Sequence, residues 1–489
     1  MDFLDPSKKR ARSIRLFVGY ILVAIAVAAA SLILLLQAYG YDVNRQTGQV
    51  IQNGLVFVSA HPAGANVSLN GVNKGRTDLR LTIPAAQYTI SLTQPGYRDW
   101  KRTFTLDGGG IERLSYPVLF PVKLTTKDLQ LYGEAPVFAT SSPDHHWLLV
   151  EQPGSLTEFD NFDLGDPTKV STLVSLPKDV LSASTGAQTL KTVEWSTDNR
   201  HVLVQHDYSG GTEFIMIDRQ DPASSFNVNK LFGLSPTNVA LRNKHYDQLY
   251  LYDGSSKTLQ TADVKAKLTA PILDKVIDFK AYGANTVLYA TDDSATPGKN
   301  AIRVWDGKQS YLIHYYPAAS GYALDMAGYN GDTYMVVAPK NGGQVYIYKN
   351  ALEQAKRSSK LIPAPFIDLR LDQPGFVSFS DTAQFILAQN GDHFAAYDAQ
   401  TNQRYYYELK DQIEPTQQAT WMDGNRLVMV LAGKTVVFDY DGINKQTLSA
   451  SQPDVLPFFN QAYSGLYNIA PSVDVPGHFA LTRTELVAK

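Results

Sequence analysis

The chain contains no cysteine among its 489 residues, which rules out disulfides and thiolate metal centres and leaves the hydrophobic core to hold the fold. It has no Gly-x-Ser-x-Gly elbow, no His-Glu-x-x-His zinc motif and no Gly-x(4)-Gly-Lys phosphate loop. A basic excess is also missing. Beyond Arg15, 39 lysines and arginines stand against 45 aspartates and glutamates, the wrong balance for a nucleic-acid partner. Helical periodicity is scarce once the N-terminal segment is past. Asn350 to Lys360, read as a short surface helix on an insertion, is the exception.

One long hydrophobic run is present. Leu16 to Leu36 gives 21 residues without a charge, enough at about 1.5 Å per residue to cross a hydrocarbon layer of about 30 Å. Lys8, Lys9, Arg10, Arg12 and Arg15 crowd its N-terminal side against Asp2 and Asp5. The positive-inside rule then places residues 1–15 in the cytoplasm and the rest outside. Ala38-Tyr39-Gly40 has the spacing of a signal-peptide cleavage site, but the run exceeds the usual signal core of about 7–15 residues. The expected plan is a cytoplasmic tail (1–15), an anchor helix (16–38) in contact with the lipid bilayer and a polar tether (39–53). The protein would cross the cell membrane once.

From Gly54 the pattern changes to short alternating strands: Leu55–Ser59, Ala65–Leu69, Gln87–Thr93, Trp100–Leu106 and Ile111–Leu119. Asn70-Gly71, Pro95-Gly96 and Gly108-Gly109-Gly110 punctuate them as turns. Val58-Ser59, Pro62-Ala63-Gly64-Ala65, Val67, Asn70-Gly71, Gly75-Arg76-Thr77, Tyr88 and Gly96-Tyr97 follow one another in a family's order. Residues 54–121 thus resemble the PEGA domain, a small β-sandwich-like module of bacterial surface proteins. Ala63 replaces the family's glutamate, and Asp78 stands where a proline is usual. The resemblance implies a non-catalytic spacer or interaction module. Gly64, Gly71, Gly75 and Gly96 are read as turn residues.

Beyond Val122 one local pattern recurs: an apolar strand, a polar turn, then a strongly apolar strand. Ser142-Pro143-Asp144-His145-His146 leads into Trp147–Val150, and Ser196-Thr197-Asp198-Asn199-Arg200 into His201–Val204. Further copies precede Gln248, Thr286, Thr333, Gln384 and Arg426, and a weaker eighth places Val475-Pro476-Gly477 before His478. A period of roughly 40–54 residues suits four-stranded propeller blades. The first two turns resemble the Ser-Pro-Asp turn of TolB-type and WD40-like propellers. The fold class is therefore all-β: an N-terminal transmembrane helix, a PEGA-like domain at 54–121, and a propeller at 122–489 of eight blades, with seven as the alternative. Val122 to Tyr132, a strand without a blade of its own, is expected to complete the last blade and remove its open edge.

Few residues suggest chemistry. His145-His146 are adjacent on a turn, where two side chains rarely meet one ion. Glu158, Asp160, Asp163 and Asp166 could offer oxygen ligands to calcium but lack EF-hand spacing. Asp292-Asp293 reads as a solvated loop. Tyr405-Tyr406-Tyr407 and His314-Tyr315-Tyr316 are possible platforms for sugars, although alternation sends one side of each trio into the core. No catalytic, cofactor or metal residue is assigned. The parts point to a membrane-anchored extracytoplasmic binding or scaffold protein of the cell envelope, with an envelope protein or a wall polysaccharide as partner. An extracytoplasmic hydrolase or lyase and a sensory ectodomain are the alternatives.

Overall fold

In the computed structural model the described residues are 6–38, 40–43, 50–357 and 362–488. They divide into two compact units, Met1–Lys123 and Leu124–Lys489. Helix α1 (Pro6–Ala38) starts ahead of the apolar run, because alanine, lysine and arginine favour helix as readily as leucine does. Its stretch Arg12–Leu36 is long and apolar enough to cross a membrane.

The expected tether is corrected. Strand β1 (Tyr41–Val43) pairs antiparallel with the start of β2 (Val50–Val58), so the sheet begins before Gly54; residues 44–49 lie outside the described ones. Gly54 sits inside β2, where a Cβ would meet Leu106 Cγ at 2.7 Å and two carbonyl oxygens at 2.9 Å. Close approach rather than a turn demands glycine there. The chain continues through β3 (Asn66–Leu69), β4 (Val72–Arg76), β5 (Leu79–Pro84), β6 (Ala86–Thr93), β7 (Trp100–Leu106) and β8 (Ile111–Leu114). The last strand stops short of the expected Leu119, near Pro117, which has no amide to give a ladder. One sheet runs β4-β3-β6-β7; in the other, β2 lies between antiparallel β5 and parallel β8. Their inner faces meet in a core of Val56, Val67, Ile90, Leu92 and Trp100. Of the four glycines read as turns, Gly75 (φ 129°) proves to lie at a bulge within β4, where the register with β3 shifts.

The second unit forms eight four-stranded sheets among the described residues, spanning 139–175, 189–227, 238–273, 276–317, 322–370, 376–408, 420–450 and 458–485. All are antiparallel, and the first seven are meanders. The first strands of the second and third, the fourth and fifth, and the fifth and sixth sheets touch, which places the first strands on the inner wall. Neighbouring sheets share cores: Leu149 with Val204, Phe214 with Leu251, Tyr250 with Val287, Ile302 with Met335, Val336 with Ile386, and Leu387 with Met429. A buried hydrogen bond from Thr435 Oγ1 to Asn468 Oδ1 (3.0 Å) links the seventh sheet to the eighth. The eighth meets the first through Tyr467, Ile469 and Leu481 against Leu148 and Val150. The sheets thus close a ring.

Strand β9 (Thr125–Tyr132) supplies the fourth strand of the last sheet, antiparallel to Phe479–Glu485, which is the closure expected of the leading segment. The eighth repeat needs correction. Val475-Pro476-Gly477 joins the sheet's second and third strands, whereas its first turn is Asn460-Gln461-Ala462-Tyr463. That turn repeats the hydrogen bonds of the Ser142, Ser196 and Ser380 turns. In each, the fourth residue donates its amide to the first residue's carbonyl and adopts positive φ (His145 55°, Asn199 54°, Ala383 57°, Tyr463 51°). Half-buried carboxylates tie the inner wall together across sheets. Glu194 accepts the Leu241 amide (2.8 Å), Asp278 that of Tyr322 (2.7 Å), and Asp325 that of Phe379 (3.2 Å). The expected surface helix is Ala351–Arg357, with Ala351 and Ala355 packed into the core and residues 358–361 outside the described ones.

Candidate functional site

The sequence-selected residues separate in the fold. His145 turns its Nδ1 to the Phe459 carbonyl of the last sheet (3.1 Å), whereas His146 faces Asp163 (3.2 Å). Among the acidic residues, Asp160 is buried and accepts the Tyr132 hydroxyl (2.9 Å) and the Gln152 amide (3.1 Å). Asp163 takes Lys169 (3.0 Å) and two backbone amides; burial raises its carboxyl, but Lys169, His146 and the Asp166 amide together hold it below the usual range. Asp166 binds Thr168. Asp160, Asp163 and Asp166 are therefore committed to protein partners, and Asp160 serves the closing strand, a role no local signal announced. Asp292 and Asp293 pair with Lys257 and Lys275. No group of three or more metal-ligating side chains occurs among the described residues.

A buried polar network in the second sheet has the composition of a nucleophilic triad in the wrong order. Glu213 lies between the other two, accepting from the Ser182 hydroxyl (2.6 Å) and facing His206 Nδ1 (2.8 Å). The Ser182 proton thus points at the carboxylate and not at the imidazole, unlike a serine activated by histidine. Asn227 donates to Glu213 as well (2.8 Å), and these donors lower its pKa although burial raises it.

At the mouth of the inner wall, Asp381 and Asp423 come near His145 and Tyr463, so first turns from the sixth, seventh, eighth and first sheets converge. Protein crowding around Asp381 pushes its carboxyl up, with Asp423 adding to this and His145 opposing it. Arg426 pairs with Asp423.

The aromatic trios divide as alternation requires. Tyr316 packs inward, hydroxyl to hydroxyl with Tyr348, and its ring lies 4.4 Å from Tyr346. Tyr405 sets its edge against Tyr440 (5.3 Å), and Tyr407 stacks on Phe394 (5.0 Å, 2° between planes). Tyr406, between them, is 51 % exposed on the opposite face of its strand. It lines a groove of about 820 Å³ between the fifth and sixth sheets, floored by Leu371 and Phe394. The rim carries Arg370, Asp372, Asn390, His393 and Glu408. Asn390 Nδ2 donates to the Asp372 carbonyl (2.9 Å) and so joins the two sheets at the groove. Among the described residues, the side chains of Arg370, Asp372 and Glu408 have no hydrogen-bond or ion-pair partner. An exposed aromatic face beside uncommitted donors and acceptors, over an apolar floor, is the composition of a site for a polar ligand with apolar faces.

Three solved structures, one of them a propeller, are similar to this chain. The Dos1 propeller is 13% identical with a TM-score of 0.45, over 74% of this chain and 95% of that one. Dihydro-heme d1 dehydrogenase NirN in complex with DHE is 14% identical with a TM-score of 0.41, over 72% of each chain. Kluyveromyces lactis Hsv2 is 11% identical with a TM-score of 0.41, over 65% of this chain and 99% of that one. No curated protein matches the chain. Residues 53–117 match the PEGA domain.

Proposed function

We propose that this protein is a membrane-anchored, extracytoplasmic binding scaffold of the bacterial envelope, whose ring of eight TolB- or WD40-like blades holds a wall glycan in the groove at Tyr406. Helix α1 is the single-pass anchor in this reading, with its basic N-terminal flank in the cytoplasm. The small domain acts as spacer, and the protein is not an enzyme. The observation that carries the reading is Tyr406, exposed in a groove where Arg370, Asp372 and Glu408 have no side-chain partner among the described residues. A sugar ring laid on the tyrosine face would bury its C–H groups there and direct its hydroxyls to Arg370, Asp372 and Glu408.

The test uses the full chain in phosphatidylcholine nanodiscs, titrated calorimetrically with soluble wall-glycan fragments. Binding is expected, and Tyr406→Ala should weaken it about tenfold or more while leaving the melting temperature unchanged. Absence of binding, or a Tyr406→Ala variant that binds like the native chain, overturns the glycan reading.

A further inference from the structure

The open face of the small domain carries a second arrangement that the scaffold reading does not use. On β2, Phe57 lies opposite Arg80 of β5 on one side and Arg113 of β8 on the other. Both guanidinium groups sit over the one phenyl ring, their Cζ atoms 5.8 Å and 4.9 Å from its centroid, and so lie within about 11 Å of each other. Both arginines are exposed, and neither has a carboxylate within ion-pair distance among the described residues. The opposite face of the same strands supplies Val56, Val58 and Leu114 to the core, so alternation fixes the arginines outward.

Two cations gathered on one ring repel each other, and the phenyl face offsets only part of this. An anion placed between them would relieve it, and guanidinium forks match phosphate and carboxylate oxygens in pairs. The surroundings favour a multiply charged ligand. Residues 54–121 hold seven arginines and lysines against four acids, whereas residues 122–489 hold 31 against 40. The basic site thus belongs to the one basic region of a chain that is otherwise acidic beyond α1.

We infer that Arg80 and Arg113, stacked on Phe57, form a binding site for a phosphodiester-linked anionic polymer. The neighbouring source of the same chemistry is the lipid headgroup layer. With α1 in a membrane, however, Phe57 is five residues along β2 from Gln52, which pairs with Tyr41 just past the helix. That is about 17 Å of strand, against a headgroup layer of about 5–7 Å per side. A polymer reaching out from the surface meets the site sooner than the headgroups do.

The experiment titrates the full chain, in phosphatidylcholine nanodiscs, with fluorescent poly(glycerol phosphate), and separately with phosphatidylglycerol vesicles. The polymer should bind in a salt-dependent way. Arg80→Ala with Arg113→Ala should weaken it about tenfold or more, the double lysine variant should fall in between because it keeps charge and loses the fork, and Arg76→Ala should change nothing. Tyr406→Ala should also leave polymer binding intact, which separates this site from the groove. The unfolding curve of each variant reports its fold, and the lysine pair carries the test should the alanine pair unfold. A native chain that ignores the polymer, an alanine pair that binds as tightly as native, or arginine-dependent binding to the vesicles alone would each overturn the inference.

Discussion

The two units use strands in opposite ways. The small domain spends its pairing on a mixed pair of sheets within one short stretch of chain, including the parallel partnership of β2 and β8. Its single core is shared by both sheets. In the ring seven of the eight sheets are local meanders, and the cores lie between sheets, passing the same function from neighbour to neighbour. Among the described residues one strand pairing of the ring joins residues far apart in sequence, that of β9 with Phe479–Glu485. The difference teaches where each unit is vulnerable. The small domain depends on its one core, whereas the ring depends on its seam.

The largest effects should come from those two places. Leu481 is fully buried in the seam between the eighth and first sheets, and Ile90 is fully buried in the small domain. Leu481→Ala and Ile90→Ala should each cost about 2–5 kcal/mol, the range for truncating a buried aliphatic side chain. In differential scanning calorimetry we expect Leu481→Ala to lower the transition of the ring alone and Ile90→Ala that of the small domain alone. A shift of both transitions in either variant would show that the units unfold as one and would end the comparison.

The sequence discloses the repeat because its turns are local. A Ser-x-Asp-x turn with a left-handed fourth residue is written in four or five consecutive letters, and the Ser142 and Ser196 copies announce it plainly. The same bonds at Asn460 carry Gln461, Ala462 and Tyr463, none a usual turn residue, so the sequence signals a turn at Pro476-Gly477 instead. Strand β4 escaped because most of it is exposed on both faces and it shows no apolar alternation. The groove and the arginine pair were illegible for a different reason. Tyr406 reads like its neighbours until the fifth sheet is set beside the sixth. Phe57, Arg80 and Arg113 share one face only because two strands distant in sequence flank β2. Local signals survive into a sequence; juxtapositions made by topology do not.

An intermediate effect should separate the ring from the small domain by pH. Glu151, in the first sheet, is 3 % exposed and its Oε2 has no partner. Burial pushes its carboxyl up to about 7, with the backbone of Phe138 and Val137 pulling the other way, against 4.5 for an unhindered glutamate. Below about pH 4.5 the folded and unfolded chains both hold the proton, and nothing is lost. Between 4.5 and 7 the unfolded chain ionises first, so stability falls as pH rises across that window, by at most about 3 kcal/mol. Glu151→Gln should remove this slope. Its melting advantage over the native chain should grow from nil near pH 4.5 to its full size above pH 7, in the ring transition alone. Parallel melting curves for variant and native chain across that range would show that the carboxyl is not held neutral.

The smallest effects compare one atom in two settings. The Tyr132 hydroxyl, on the closing strand, donates to buried Asp160 Oδ2 across the seam (2.9 Å). The Tyr88 hydroxyl of the small domain donates to the Pro84 carbonyl (2.8 Å) at the surface. Burial and the neighbouring carboxylate both raise the Tyr132 phenol pKa, so it remains a donor at every pH the fold survives. Tyr132→Phe leaves Asp160 with one buried oxygen unanswered and should cost about 1.5–3 kcal/mol, as for a hydrogen bond to a charged group. At Pro84 water replaces the lost donor, and Tyr88→Phe should cost less than about 0.5 kcal/mol. Chemical denaturation of both variants measures the pair. If Tyr132→Phe is as mild as Tyr88→Phe, the ladder of β9 against Phe479–Glu485 holds the ring shut unaided. If it is several times worse, the seam is locked by a side-chain bond that the small domain, with no ring to close, never required.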